Sequence, residues 1–465
     1  MLLLYYLFAV TILAKISRCE NATIEVWLTK SGLEFLNEVG ENIVANKLNG
    51  SKLPDISLPV QAGIGYGVIN TNNVQIYNLI LPTFQFKITE PNELTWKTDG
   101  GIIQIYMHGS VEATAEDIRI NMANNLSLSD HHPQIFNKFC QISVMEFQIH
   151  IGGGVIPWII NLFENEIAEA IKQTIDQQLC KTVTSVLMVR VNEVLIKLSS
   201  RLKISQNIYL NYVFTNLTVE DEFLKSAVQG NIVYGNGTCP LVPSAMSTEV
   251  SSDVRMLYFW FSDHVPNCLF HSLFQEGLFS VTITNDTLHG TFSKFLRTNC
   301  STQEILCIGN ILPTLKKSYP NESLDFKVQA ETVPVLHTAT DGIVAQANVG
   351  SGLYISPLQQ QNSSLLQLEM NVTANITPLL SDKKLSGKLN DLKIKITDFD
   401  SHIGDFSEKT VQFLERLLNL GLEAVLRRLF NTGVPLPLFF NVSFSDVELS
   451  TNDGYSQINT NFQIV

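Results

Sequence analysis

The chain has 465 residues, of which 45% are hydrophobic and 16% charged, and its formal net charge at pH 7 is -13. This composition excludes an intrinsically disordered chain, because apolar side chains are abundant enough to form large cores. The acidic balance also argues against a nucleic-acid-binding protein, which needs a basic surface to neutralise phosphates. For the same reason, bulk charge would not draw the chain to an anionic membrane.

The chain begins with a largely apolar run at residues 2–14, which is followed by Lys15 and Arg18. This run is shorter than the roughly 20 residues of a membrane-spanning helix, and a cut after Cys19 would have small residues at its -3 and -1 positions. Residues 1–19 are therefore predicted to be a cleaved signal peptide, with an uncleaved signal anchor as the alternative. Because no later run reaches about 18 apolar residues, the mature protein is predicted to be soluble, secreted and extracellular.

Sequons and cysteines agree with that prediction. The Asn-x-Ser/Thr sequons are Asn21, Asn49, Asn125, Asn216, Asn236, Asn285, Asn299, Asn321, Asn362, Asn371, Asn375 and Asn441. Their spread over the whole chain is typical of a glycosylated protein in a compartment that permits disulfides. If Cys19 leaves with the signal peptide, six of the seven cysteines remain and fifteen pairings are open, with buried free thiols as the alternative.

Two amphipathic segments in the first half have helical periodicity. The first is predicted to start at Ser31 in a capping-box pattern and to stop before Gly50. The second is predicted to start at Pro157 and to form a long helix with one apolar side. Alternating apolar residues at positions 147–151 and 208–219 predict half-buried antiparallel strands.

The second half repeats this plan. A shorter helix is predicted near Ser262, strands around residues 326–328 and 392–396, and then a long helix with apolar residues from Val411 to Leu429. The pattern of a helix, strands, a long helix and further strands therefore occurs twice, which indicates an internal duplication.

A Gly-, Pro- and Ser-rich segment separates the two repeats. We therefore predict a first domain at residues 20–233, a linker at 234–253 and a second domain at 254–465. A long amphipathic helix on a curved sheet can leave an apolar tunnel suited to a lipid tail. The alternative is that both apolar stripes fill a dry core.

Several short motifs follow one another along nearly the whole mature chain. They are Lys52-Leu53-Pro54-Asp55, Ile149-His150-Ile151, Pro157-Trp158-Ile159-Ile160-Asn161-Leu162-Phe163, Arg255-Met256-Leu257-Tyr258, Ser262-Asp263, Phe274-Gln275-Glu276-Gly277 and Gly433-Val434-Pro435-Leu436-Pro437. In this order they resemble the family of bactericidal/permeability-increasing protein and lipopolysaccharide-binding protein, which includes plasma lipid-transfer proteins. The resemblance implies an α+β fold, an elongated boomerang in which two barrels, each a long helix on a curved antiparallel sheet, are joined by a central sheet.

The resemblance also implies one disulfide. Cys140 and Cys180 match the bridge that this family shares between a strand and the long helix. Proximity in sequence then favours Cys300 with Cys307 and leaves Cys239 for Cys268, but the pairing of these four cysteines stays open.

One apolar lipid pocket per barrel is implied as well. The expected lining residues are Leu36, Ile43, Trp158, Leu162, Ile167 and Ile171 in the first barrel, and Leu414, Leu418 and Leu422 in the second. We expect a monomeric, secreted lipid-binding protein of the innate-immune type that needs no cofactor, carries phospholipid or bacterial lipopolysaccharide, and contacts membranes or lipid aggregates peripherally. The alternatives are a lipid carrier without endotoxin recognition and an adhesion or immune-modulating glycoprotein.

The basic tip of the first barrel is where the chain departs from this family. Relatives that bind lipopolysaccharide use a Lys/Arg cluster there, because lipid A carries phosphates. The corresponding residues 94–101 keep only Lys97. The candidates for an anionic-lipid tip are Lys47, Lys52, Lys87 and Lys97. The alternative is that they are four solvated lysines among many acids.

Motifs for catalysis or metal binding do not rise above chance. The chain has no Gly-x-Ser-x-Gly elbow and no His-Glu-x-x-His sequence. His264 and His271 lie on a predicted helix without a third ligand, so we interpret them as core or surface histidines. The chain is therefore predicted not to be an enzyme and to hold no metal, and a lipid hydrolase is the disfavoured alternative.

Overall fold

The fold is known from a computed structural model. It describes residues 22–53, 55–62, 65–80, 83–107, 111–151, 164–196, 201–220, 222–250, 255–286, 295–301, 303–304, 307–358, 363–381, 384–404, 406–435 and 442–464. Across these ranges, no helix has the length and apolar character needed to cross a membrane.

The first half combines two long helices with antiparallel strands. Its elements are β1 (Ile24–Leu28), α1 (Lys30–Leu48), β2 (Ile56–Ala62), β3 (Gly65–Thr71), β4 (Gln75–Ile80), β5 (Thr83–Thr89), β6 (Glu93–Asp99), β7 (Ile102–Met107), β8 (Val111–Ser129), β9 (His132–Ile151), α2 (Glu164–Ile196), β10 (Arg201–Lys203), β11 (Ile208–Glu220) and β12 (Phe223–Tyr234). The predicted helices and strands are confirmed, while the predicted start of α2 at Pro157 lies outside the described residues. Residues 235–250 contain neither helix nor strand.

The second half follows a similar order with a single long helix. Its elements are β13 (Leu257–Ser262), α3 (His264–Gln275), β14 (Ser280–Ile283), α4 (Ile308–Ile311), α5 (Pro313–Ser318), β15 (Leu324–Ala330), β16 (Val335–Ala339), β17 (Gly342–Ile355), β18 (Leu366–Ser381), β19 (Lys384–Ser401), α6 (Glu408–Thr432), β20 (Val434–Pro435), β21 (Val442–Asn452) and β22 (Tyr455–Ile464). The short helix near Ser262 and the long helix near the end of the chain are both confirmed.

The start of α1 differs from the prediction. The Gly32 N–H donates to Thr29 Oγ1 over 3.2 Å, so Thr29 caps the helix and the predicted cap at Ser31 is wrong. The reason is that Thr29 directly follows β1 and is buried at the point where the chain turns into the helix. The predicted end before Gly50 is confirmed, since Gly50 has a φ of 79°, a conformation that favours glycine.

Strands from both halves form one central sheet. Its order is β10-β11-β12-β1-β13-β22-β21, and every pair is antiparallel. The strand β1 lies between the halves, because Ile24 is opposite Val228 of β12 and opposite Phe261 of β13. Buried and part-exposed residues alternate along β11 and β22, which places apolar side chains on one face of this sheet.

Each half also has a sheet of its own. The first-half sheet has the order β4-β7-β8-β6-β5, with β9 paired to β8, and the second-half sheet has the order β14-β15-β17-β18-β19-β20. Register shifts interrupt the β8–β9 and β18–β19 pairs, and such bulges increase the bend and twist of long strands. The helix α2 packs on β9, and α6 packs on β19.

Three disulfides join cysteines of the described ranges. They join Cys140 to Cys180, Cys239 to Cys268 and Cys300 to Cys307, with separations of 40, 29 and 7 residues. These are the pairs that the resemblance and sequence proximity favoured. The first bridge connects β9 to α2, and the second connects the segment at residues 235–250 to α3.

Candidate lipid-binding site

In the first half, the apolar interior lies between α2 and the first-half sheet. Ile171, Ile175 and Leu179 are 1%, 1% and 2% exposed. Their spacing of four residues places them on one side of α2. They pack with buried residues of β4 and β7, which include Ile76 and Ile105. The Cys140–Cys180 disulfide lies at the end of this stripe and holds α2 against β9.

A second apolar interior lies under α6. The helix buries Leu414, Leu417, Leu418 and Leu422. Its first turn is capped by Ser407, whose side chain accepts a hydrogen bond from the Thr410 N–H over 3.3 Å. The apolar cluster beneath α6 continues without a break into the central sheet, so this interior is part of the larger core of the protein.

The predicted lining residues of the second barrel all belong to this interior. Leu414, Leu418 and Leu422 are buried in the same cluster. In the first half, Ile171 is buried against the first-half sheet, but Leu36 is half-buried and packs against the larger cluster that includes the central sheet. The structure therefore divides the described first-barrel residues between two clusters.

The remaining predicted lining residues fall outside this description. Trp158 and Leu162 lie outside the described residues. Ile43 and Ile167 belong to α1 and α2, but their side chains are not among the described ones. Their role in lining a pocket stays a prediction.

A polar chain next to α1 was missed by the sequence analysis. Trp96 Nε1 donates to Asn37 Oδ1, and Asn37 Nδ2 donates to Glu41 Oε1. Burial raises the pKa of the Glu41 carboxyl above its ordinary value, and the hydrogen bond from Asn37 partly opposes this shift. The only sequence signal was the four-residue spacing of Asn37 and Glu41, which places both on one side of a helix.

This polar chain lies beside apolar side chains. The Trp96 ring packs 5.2 Å from the Phe86 ring and contacts the first-half core as well as a smaller cluster that reaches β11.

The described tip lysines form a pair and not a cluster of four. Lys87 and Lys97 are exposed, and the pairing of Gln85 with Lys97 places them as diagonal neighbours on one face of β5 and β6. Lys52 is exposed beside Gln75 of β4, at the opposite end of the hydrogen-bonded strand order from β5. The side chain of Lys47 lies outside the description.

A group of metal-ligating residue types also escaped the sequence analysis. Cys239, His264 and Cys268 bring one ligand atom each within 4.8 Å of one another. The two sulfurs are joined in a disulfide, so neither is available as the thiolate that a metal requires. His264 is buried, which agrees with its interpretation as a core histidine. Its Nε2 lies 2.8 Å from Asn231 Oδ1, and burial lowers the pKa of its ring.

Two antiparallel sheets closed by long amphipathic helices, with a central sheet between them, define a two-domain lipid-binding fold. Residues 32–194 match the LBP / BPI / CETP family, N-terminal domain, and residues 203–464 match the LBP / BPI / CETP family, C-terminal domain. The chain therefore belongs to the LBP / BPI / CETP family. Members of this family are lipid-binding and lipid-transfer proteins and not enzymes.

Individual relatives match over nearly their full length. The cholesteryl ester transfer protein of Cricetulus griseus is 23% identical over 491 residues, which cover 98% of this chain and 96% of the relative. The bactericidal permeability-increasing protein of Sebastes schlegelii is 23% identical over 465 residues, which cover 95% of each chain. A crystal structure of lipopolysaccharide binding protein superposes with a TM-score of 0.59 at 17% identity, covering 96% of this chain and 99% of that one. The resemblance predicted from the motifs is thereby confirmed, and so is the fold.

Proposed function

We propose that this protein is a secreted lipid-binding protein whose apolar interiors hold phospholipid or a microbial amphiphile, with a role in innate immunity or in lipid transport. The observation that carries the proposal is the family match over both halves of a chain in which each half closes a long amphipathic helix over a curved sheet. The predicted signal peptide, the sequons and the three disulfides support an extracellular location.

Phospholipid is the ligand that the described residues favour. The lysines at the first-half tip form a pair, whereas the two phosphates of lipid A would call for a larger basic cluster. The net charge of -13 adds no long-range attraction for an anionic aggregate.

Mass spectrometry of the native glycoprotein after organic extraction tests the proposal. We expect phospholipid to be released and the emptied protein to take up added phospholipid. Leu36→Trp places a large side chain in the half-buried stripe of α1 and should reduce the amount of bound lipid. Asn42→Trp adds the same side chain at an exposed position of α1 and is the matched control. A protein that releases no lipid and accepts none would refute the proposal.

A salt series separates lipid transport from microbial recognition. The protein is mixed with lipopolysaccharide and with neutral and anionic phospholipid vesicles. Tight lipopolysaccharide binding that weakens with salt and is lost in Lys87→Gln with Lys97→Gln would indicate microbial recognition through the lysine pair. Binding of phospholipid alone, without salt dependence, would indicate a carrier.

A second candidate is an adhesion or immune-modulating glycoprotein, and the exposure of the sequons favours it. The exposed sequon asparagines are Asn49, Asn125, Asn216, Asn236, Asn299, Asn321 and Asn371. Asn285 is an exception, because its side-chain amide bonds both the N–H and the carbonyl of Leu296. In this case Leu36→Trp would reduce lipid content but leave partner binding unchanged.

A further inference from the structure

A cavity of about 320 Å³ lies between α6 and the strand β19. Its walls are residues 392–394 of the strand and Gln412, Glu415, Arg416 and Asn419 of the helix. The spacing of the four helical residues places them on one side of α6. This side differs from the one that buries Leu418. Leu392 and Ile394 belong to the buried cluster beneath α6 and separate the cavity from it.

The cavity lies at an open strand edge. The strand β20 pairs only with Lys384 and Leu385, so the remainder of β19 has one free edge that faces α6. Side chains of α6 bond this edge on both sides of the cavity. Glu415 Oε1 accepts from the Ile396 N–H over 3.0 Å, and Asn419 Nδ2 donates to the Leu392 carbonyl over 2.9 Å.

A backbone donor points into the space between these two bonds. In an antiparallel strand, the peptide groups on one edge belong to alternate residues. Since Leu392 and Ile396 both present their backbone to α6, Ile394 does so as well. No described side chain of α6 bonds the Ile394 N–H or its carbonyl, which leaves one donor and one acceptor at the cavity wall.

The cavity wall is also positively charged. Arg416 is exposed, and among the described residues no acidic side chain forms an ion pair with it. Lys393 lies 3.6 Å from Asp391, but this pair is solvent-exposed and therefore weak. Glu415 is the acid of the wall, and one of its oxygens already accepts the Ile396 N–H. The lining therefore has two cations and one acid, and the Asp391 carboxylate lies next to Lys393 outside the lining.

We propose that this cavity binds a phosphate-type oxyanion. The Arg416 guanidinium offers a planar set of N–H donors that matches two oxygens of a phosphate, and Lys393 supplies a second positive charge. The Gln412 amide and the Ile394 N–H add neutral donors. The cavity is open to solvent and has room for a phosphate group, while Ile394 is 8% exposed and offers little apolar surface to an acyl chain. The ligand is therefore a head group or a free organic phosphate.

This site does not depend on the proposed function, since it lies outside both apolar interiors. A phosphate could reach it as the head group of a lipid in a membrane or as a free molecule in solution. The shared chemistry is the anionic phosphate group, and the two sources are separated by the form in which the phosphate is presented.

The test compares two double variants with equal charge change. Lys393→Gln with Arg416→Gln removes both cations of the cavity. Lys395→Gln with Arg428→Gln removes an exposed lysine of β19 and an exposed arginine of α6 that do not line it. The probes are inorganic phosphate in calorimetric titration and phosphatidylcholine vesicles with and without phosphatidic acid in sedimentation.

We expect the cavity variant to lose at least about tenfold in affinity for the probe that binds, because it lacks two charge-assisted contacts, while the control variant binds like the wild type. Loss of inorganic phosphate binding would indicate that the free anion suffices. Loss of vesicle binding alone would indicate a lipid head group as the source. The proposal is overturned if neither probe binds the wild type, or if both variants lose affinity equally, which would reflect bulk charge.

A separate readout distinguishes this result from the proposed function. The lipid content of both variants after extraction should equal that of the wild type, because the cavity lies outside the interiors. If the double variant unfolds, the single variant Arg416→Gln replaces it in the same binding measurements. This variant should fold, because Arg416 is exposed and makes no described hydrogen bond through its side chain.

Discussion

The two halves of the protein place a similar helix-on-sheet unit in different surroundings. In the first half, α2 and its sheet bury a core of their own, and the Cys140–Cys180 disulfide links the helix covalently to β9. In the second half, the core under α6 continues into the central sheet. One sequence pattern therefore produces either a separate core or an extension of a larger one, depending on what packs behind the sheet.

In both halves, side chains of the long helix hydrogen-bond to the backbone of a strand at the edge of its sheet. In the first half, Asn192 of α2 accepts the Ile135 N–H and donates to the Ile135 carbonyl, each over 2.8 Å. In the second half, two residues of α6 bond the edge of β19: Glu415 accepts from a backbone N–H, and Asn419 donates to a backbone carbonyl. A helix side chain thus replaces a neighbouring strand, which satisfies polar groups that would otherwise be left exposed at the edge.

The largest expected effect comes from truncating the apolar stripes. Leu418→Ala and Ile175→Ala should each lower the free energy of unfolding by about 2 to 5 kcal/mol, because both side chains are fully buried. Hydrogen exchange should show that the two variants destabilise different strands. Leu418→Ala should speed exchange in β13 and β22 of the central sheet, whereas Ile175→Ala should act on β8 and β9 alone. Faster exchange in β22 of the Ile175→Ala variant would contradict the division into two cores.

Removal of single disulfides is expected to lower the free energy of unfolding by different amounts in the two halves. Cys140→Ser with Cys180→Ser opens a bridge across 40 residues, and chain entropy predicts a loss of about 4 kcal/mol. Cys300→Ser with Cys307→Ser opens one across 7 residues, with a predicted loss of about 2 kcal/mol. Chemical denaturation of both variants and the wild type measures this. Equal losses would show that loop length does not control the stabilisation.

The edge-closing asparagines should have smaller effects. Asn192→Leu removes both partners of the Ile135 backbone and should cost about 1 to 3 kcal/mol of unfolding free energy. Asn419→Leu removes one bond, to the Leu392 carbonyl, and should cost about 1 kcal/mol. Thermal denaturation of the two variants compares them directly. A larger effect of Asn419→Leu would mean that the second-half edge depends on α6 more than the first-half edge depends on α2.

The smallest effect concerns pH and the hydrogen bond between Asp263, which directly follows β13, and Thr338 of β16. Burial raises the pKa of the Asp263 carboxyl above its ordinary 3.8, while the Thr338 N–H, 2.7 Å away, and the nearby His337 ring partly oppose the shift. The folded state therefore retains a proton that the unfolded state has released. Stability from this group falls as pH rises from 3.8 through the raised pKa and is constant above it.

Urea denaturation across the acidic range tests this sign. The wild type should show the slope described for Asp263, and Asp263→Asn should lack it. Asp391→Asn alters an exposed carboxyl and is the control. An Asp263→Asn variant with the same pH profile as the wild type would show that the buried carboxyl does not titrate in this range.

Much of the architecture was predictable, because local patterns carry it. The apolar periodicity from Val411 to Leu429 predicted a long helix, and the structure has α6 at Glu408–Thr432. The strands around residues 326–328 and 392–396 became β15 and β19. The helix cap at Thr29 was not predictable, since it depends on β1 pairing with strands more than 190 residues away along the chain.

The candidate site was predictable only in part. Helical spacing identified Ile171, Leu414 and Leu418 as inward-facing residues, and all three are buried. It did not show that Leu36 packs with the larger cluster, because spacing gives the side of a helix and not what lies opposite. The hydrogen bond from Trp96 to Asn37 joins residues 59 positions apart, which no local pattern encodes.

The family followed from motifs in order along the chain. The elements and the apolar faces of the long helices followed from local periodicity, since each depends on neighbours within a few turns of the chain. Only the tertiary structure decided that the two cores differ, that α2 and α6 close open strand edges, and that Lys393 and Arg416 meet at one cavity. The physical reason is that these features arise where separate strands and helices come together, and hydrophobic burial sets that arrangement for the chain as a whole.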